Sequence, residues 1–261
     1  MLTNGREKIA IVRSSAISCA AAVMFAAGAA QAAPIQTITS DPDLNLSIPD
    51  GAYDGSDDPT ATLVHTLDLH APGDFIASDT PLLVTLWLDH DYAGDLTIKL
   101  ISPAGTEIFL LNRPGSMAFG DGGDLGQVRG SNANLGSGFP ITFRDDALIG
   151  ATTMGDNLSN SDIIGDPLNG SSAEYRPSFN FYFAGLQSLS LLNGESAHGA
   201  WQLHIGDAAT GQTGALQQWS IELATVVPEP TAAAMLAAGL LLIARRPRHA
   251  HHPRHPRPAR D

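Results

Sequence analysis

A chain of 261 residues with 27 Asp and Glu against 14 Lys and Arg carries a formal net charge of −13. That field repels nucleic acid and anionic membrane surfaces, so polyanion-binding functions are excluded first. The single cysteine, Cys19, excludes an internal disulfide.

In chain order, the first segment holds Arg6, Lys8 and Arg13, an Ala-rich apolar run over residues 16–30, and Ala30-Gln31-Ala32. A basic region, a short apolar run and an A-x-A site predict a secretory signal peptide over residues 1–32, cut after Ala32, its apolar run helical. Cys19 falls inside it, so the exported body has no cysteine and must rest on its core, on bound ions, or on both. Residues 33–45 read as a linker, and 46–225 are long enough for one sizeable core. Between residues 33 and 227 the basic residues are Lys99, Arg113, Arg129, Arg144 and Arg176, five against 24 acidic ones, a net −19. The body is therefore more acidic than the whole chain, and divalent cations are its natural counter-ions.

The body shows no helix-period segment of useful length. Leu82-Leu83-Val84-Thr85-Leu86-Trp87-Leu88 predicts the first clear strand. A hairpin follows: Leu96, Ile98 and Leu100 alternate with Thr97 and Lys99, the period of a strand with one buried face. Ser102-Pro103-Ala104-Gly105 supplies turn chemistry, and residues 107–111 are apolar again. Two polar, Gly-, Asn- and Asp-rich stretches, 112–139 and 155–173, predict long loops. Asn180-Phe181-Tyr182-Phe183, then Ala200-Trp201-Gln202-Leu203-His204-Ile205, then Trp219-Ser220-Ile221-Glu222-Leu223 predict further strands. Short alternating runs without intervening helices predict an all-β fold, a β-sandwich of jelly-roll type. Trp201, Leu203 and Ile205 would face the core and Gln202 and His204 the other side, with Trp201 and Trp219 as core anchors. Gly194 and Gly199 suit a close approach at the start of that strand.

The blocks "LSIPDG", "DYAGDLTIKLISPAGTEIFL", "ITFRDDA", "YRP" and "LNGESAHGAWQLHIGDAATGQTGALQQWSIEL" resemble, in order, the P domain (P/Homo B domain) of kexin- and furin-type proprotein convertases and bacterial subtilases. The resemblance runs over about residues 46–223 and implies a jelly-roll β-sandwich. In that family the P domain follows a subtilisin-like catalytic domain; here no Gly-Thr-Ser or His-Gly-Thr motif occurs. Gly194-Glu195-Ser196-Ala197-His198 is half a G-x-S-x-G elbow, with His198 where the second Gly belongs and no strand-to-helix setting. The expectation is a non-enzymatic module.

Acidic clusters punctuate the body: Asp54-Gly55-Ser56-Asp57-Asp58, Asp89-His90-Asp91, Asp121-Gly122-Gly123-Asp124 and Arg144-Asp145-Asp146. Calcium takes six to eight oxygens, which loops at one end of a sandwich can gather, but no cluster has EF-hand spacing. The resemblance implies calcium as a candidate ion, since some P domains bind it. It picks out Asp95, Asp145, Asp146, Glu195 and Asp207, which stand in the family blocks, as metal candidates. The alternative is that each is a solvated turn residue. His65, His70, His90, His198 and His204 form no ligand-spaced pair on one element, so the sequence offers no zinc site.

The last part runs Val227-Pro228-Glu229-Pro230, an apolar stretch over 231–244, then Arg245, Arg246 and Arg248. Fourteen apolar residues fall short of the ~20 of a comfortable transmembrane helix. The order of the three parts, over 226–248, resembles the PEP-CTERM sorting signal, a short apolar helix flanked by Pro-Glu-Pro and arginines. That resemblance implies processing by an exosortase, transient membrane association, and a cell-envelope or extracellular destination near exopolysaccharide. Residues 249–261 form a His/Arg/Pro-rich tail. The leading expectation is an exported interaction module for protein or polysaccharide. Its rivals are a detached P domain that steadies a secreted subtilisin-like protease in trans, and a metal-assisted hydrolase.

Overall fold

The computed structural model describes residues 34–70, 75–115, 131–178, 187–226 and position 239. The expected signal peptide, the tail and the strand expected at 180–183 lie outside the described residues, as does the expected sorting segment apart from positions 226 and 239. Among the described residues eleven strands occur in chain order: β1 Ile35–Thr39, β2 Leu46–Ser47, β3 Thr62–Leu69, β4 Phe75–Ile76, β5 Leu83–His90, β6 Leu96–Ile101, β7 Glu107–Asn112, β8 Ile141–Phe143, β9 Glu174–Tyr175, β10 Gly199–Asp207 and β11 Gly214–Val226. Among residues 34–226 the described helical elements are three short 3-10 turns, Ala93–Asp95, Ala151–Thr153 and Leu189–Leu192. The fold is all-β, as the alternating pattern predicts. None of the described helices is long and apolar enough to cross a membrane.

Two sheets carry the chain. The larger runs β1-β11-β5-β8-β9, with β2 and β4 also paired to β11; the smaller runs β3-β10-β6-β7. β11 is the spine of the first and β10 of the second. Every pairing is antiparallel except β8 with β9. Ile35–Thr39, inside the segment read as a linker, adds to β11 with Ile35 opposite Ala224. Its every-second-residue burial is that of an edge strand, too short and too exposed to announce itself by hydrophobicity.

The alternation fixes which side chains meet between the sheets. Val84, Leu86 and Leu88 of β5 and Trp219, Ile221 and Leu223 of β11 join Leu96, Ile98 and Leu100 of β6 and Trp201, Leu203 and Ile205 of β10 in one core. Both tryptophans are fully buried, so they are core anchors. Trp219 Nε1 donates to His65 Nδ1 of β3 at 2.8 Å, and Trp201 Nε1 donates to the Ala197 carbonyl at 3.0 Å. An indole needs such a partner when its N–H leaves water.

Register sorts the residues between the two ends of the sheets. His90, Asp95, Asp207 and Gly214 mark one end, because β5 and β10 finish there while β6 and β11 begin there. The turn 102–106, the segment 194–199 and the close of β3 mark the other. Gly199 has φ +129, and a Cβ there would stand 2.8 Å from Pro103 Cβ, so the predicted close approach is real at this glycine. Gly194 meets nothing within 4 Å; its φ of +82 is what requires glycine.

Candidate functional site

The end where β5 and β10 finish holds the most deeply buried ionisable groups. His90 Nε2 donates to Asp207 Oδ2 at 3.2 Å, and both side chains are fully shielded from solvent. Asp207 Oδ1 also accepts the Ala209 amide at 3.1 Å, and the Asp207 carbonyl accepts the Tyr53 amide at 2.9 Å. His90 Nδ1 is buried and has no hydrogen-bond partner among the described residues. Its backbone is clamped by a reciprocal pair with Leu135, at 3.0 and 2.8 Å. A Cβ on Gly214 would stand 2.3 Å from the His90 ring, so this end is packed shut.

Asp95, the last residue of the first 3-10 turn, comes up beside this pair. Its carbonyl accepts the Ala208 amide at 3.1 Å. Burial, then the neighbouring Asp207 charge, pushes its carboxyl above the usual carboxylate range; Arg113 and His90 pull partly the other way. Two of the five metal candidates thus do approach one another.

The remaining three do not join them. Asp145 accepts from Ser188 Oγ and from the amides of Leu189 and Ser190, at 2.7, 2.8 and 2.7 Å, and so caps the turn Leu189–Leu192. Asp146 takes a bidentate bond from Arg144, at 2.6 and 2.9 Å, which holds its exposed carboxyl below the ordinary range. Glu195 accepts the hydroxyls of Ser102, at 2.6 Å, and of Thr106, pinning the turn between β6 and β7. Among the described residues no three His, Cys, Asp or Glu side chains are placed to hold one metal ion. The five candidates are therefore not gathered around one point among the described residues.

A second cluster escapes sequence reading altogether. Lys99 of β6 and His204 of β10 are register partners on the outer face of the smaller sheet. Alternation assigns both to solvent, yet both are buried. The loop carrying Asp57 folds over them: Lys99 Nζ donates to Asp57 Oδ1, and His204 Nδ1 lies 3.3 Å from the same oxygen. His204 Nε2 donates to Gln202 Oε1 at 3.0 Å, while Lys99 also lies over the Phe109 ring. Burial works against the Asp57 charge, but the hydrogen bonds and charges of Lys99 and His204 outweigh it and lower its pKa. Tyr53 on the same loop is pushed up to about 12 by burial and the nearby Asp57 charge. Nothing local signals this, since Asp57 meets its partners across 42 and 147 residues of chain.

The half-formed elbow yields no catalytic arrangement. Ser196 Oγ accepts the His198 main-chain amide at 3.2 Å, and among the described residues no serine hydroxyl bonds an imidazole. The His198 ring instead stands against that of His70, with centroids 5.8 Å apart.

Two stretches of this chain, residues 81–128 and 172–223, match the family model described as Proprotein convertase P-domain. The first matched stretch carries β5, β6 and β7; the second carries β9, β10 and β11 as far as Leu223. His90, Asp95, Glu195 and Asp207 lie within the P-domain match, whereas Asp145 and Asp146 lie between its parts. Among solved structures, the serine protease of Aeromonas sobria is 18% identical with a TM-score of 0.34. The complex of that protease with its chaperone is 16% identical with a TM-score of 0.35. Each alignment covers 73% of this chain and 26% of the other. Among curated proteins none matches the sequence.

Proposed function

We propose that this chain is a non-catalytic, exported module of P-domain type, a jelly-roll β-sandwich delivered to the envelope or extracellular matrix through its C-terminal sorting segment. One observation carries the reading: the P-domain match falls on strands of both sheets, and the most deeply buried ionisable groups inside it bond to the fold. Asp207 holds His90, and Glu195 holds the 102–106 turn. An acid, base or nucleophile needs a pKa and a geometry directed at a substrate. The P domain is a non-catalytic family, which agrees. The sorting part of the reading rests on Pro228-Glu229-Pro230, the apolar run and Arg245-Arg246. Replacing residues 228–230 by alanine in the native cell is expected to leave the protein unprocessed; unchanged processing would contradict it.

A second reading is favoured by the family matched, whose members accompany proteases: the module steadies a secreted protease in trans. Adding the purified full chain to a subtilisin-like protease lacking a P domain would then lengthen that protease's half-life on heating. An unchanged half-life would remove the second reading and leave the first. Neither reading invokes metal-assisted hydrolysis.

A further inference from the structure

The end of the sheets opposite the His90–Asp207 pair presents a different arrangement. β3 closes at Leu69, opposite Gly199, the first residue of β10. One step further along both chains, His70 and His198 therefore face each other across the strand pair. Both are exposed, and their rings stand 5.8 Å apart at 63°. Among the described residues neither imidazole has a hydrogen-bond or ion-pair partner. His90, His65 and His204, by contrast, each spend a ring nitrogen on Asp207, Trp219 and Asp57 respectively.

We propose that His70 and His198 form a two-imidazole site for a borderline divalent transition-metal ion, of the Cu2+, Ni2+ or Zn2+ class. Two imidazoles that share one such ion, each nitrogen about 2.1 Å away, have ring centres roughly 5–6 Å apart. The observed centroid spacing of 5.8 Å falls in that range. Gly199, the residue after His198, lies so close to Pro103 that a Cβ there would stand 2.8 Å away, and the Phe75–Ser196 bridge ties down the segment before His198. Imidazole selects borderline ions, while hard cations such as Ca2+ and Mg2+ prefer oxygen. Water completes the coordination, since two protein ligands leave positions open. The sequence hides the site because its ligands are 128 residues apart.

The test is thermal melting of the full chain with the four tail histidines, 249, 251, 252 and 255, replaced by alanine, so that the tail cannot compete. A ligand that binds only the folded state raises the melting temperature in proportion to ln(1 + [L]/Kd). Ni2+ is expected to raise it, Cu2+ to act at lower concentration, and Ca2+ at the same concentration to leave the His70–His198 response unchanged. H70A and H198A should each weaken Ni2+ binding at least roughly tenfold, since even loss of an outer partner of a metal ligand costs that much. The double variant should lose no more than either single one, because one ligand cannot chelate. In chelator all three should melt with the parent, which shows that they fold. Equal Ni2+ shifts in parent and variants, or no shift in the parent, would overturn the site.

Discussion

The two ends of the strand framework use histidine in opposite ways. At one, His90 is sealed against Asp207 beneath Gly214, fully shielded, with Asp95 and Arg113 close by. At the other, His70 and His198 face each other in the open. A buried imidazole bonded to a carboxylate contributes to stability, because breaking the pair strands a polar group away from water. An exposed pair contributes almost nothing to the fold and is free to bind. Identical residue types thus belong to structure at one end and to recognition at the other. Burial, not chemistry, makes the difference.

Both ends depend on the core they share, so the largest effect comes from removing it. Trp219→Ala is expected to cost about 3–5 kcal/mol by chemical denaturation, since it also strands His65 Nδ1. A loss below about 1 kcal/mol would mean that the sheets do not share one core. Next comes the outer face. Asp57→Ala leaves Lys99 buried with only Glu107, 3.9 Å away, as an acidic neighbour. The expected cost is about 1–3 kcal/mol, the range for leaving a buried donor unsatisfied, and Lys99→Met in the same background should restore part of it. The paired Asp57 carboxyl has a folded pKa below its unfolded value, so its contribution is present above the ordinary carboxylate range. It is lost as pH falls through the folded pKa, and the cost of Asp57→Ala should shrink in acid.

The smallest effect has the opposite sign. Burial and Asp207 raise the folded pKa of Asp95 above its unfolded value. Its neutral form is therefore favoured by folding, and ionisation lowers stability as pH rises through and beyond the ordinary carboxylate range. Asp95→Asn should raise stability at neutral pH by a few tenths to about 1 kcal/mol after solvent screening, and by nothing near pH 3. The same variant sharpens the cation question. If calcium sits at Asp95 and Asp207, it raises the melting temperature of the parent and not of Asp95→Asn; identical parent curves in calcium and chelator would exclude it.

Periodicity made the framework legible. The alternation at 82–88, 96–100, 200–205 and 219–223 falls on β5, β6, β10 and β11, and Ser102-Pro103-Ala104-Gly105 is the turn between β6 and β7, with Gly105 at φ +88. Alternation reports one buried face, however. It could not foresee a loop folding over the outer face, which is why Lys99 and His204 read as solvated. The metal candidates were chosen by residue type inside matching blocks, and type does not reveal partners. Asp145 caps a turn 43 residues away and Glu195 binds hydroxyls 93 and 89 residues away. The pair His70–His198 arises from strand register, and His90–Asp207 from contact between strands of the two sheets; both set distant residues side by side without leaving a local pattern.

The contrast between the ends is tested most directly by melting Asp207→Ala and His198→Ala side by side in chelator. A shift of roughly 2–4 °C per kcal/mol holds for a body of this size. Asp207→Ala, which strands His90, should therefore melt about 2–12 °C below the parent, since such a loss costs some 1–3 kcal/mol. His198→Ala should melt within about 1–2 °C of the parent, the scatter of surface substitutions. Equal shifts, or a larger loss from His198→Ala, would contradict the assignment of one end to stability and the other to binding.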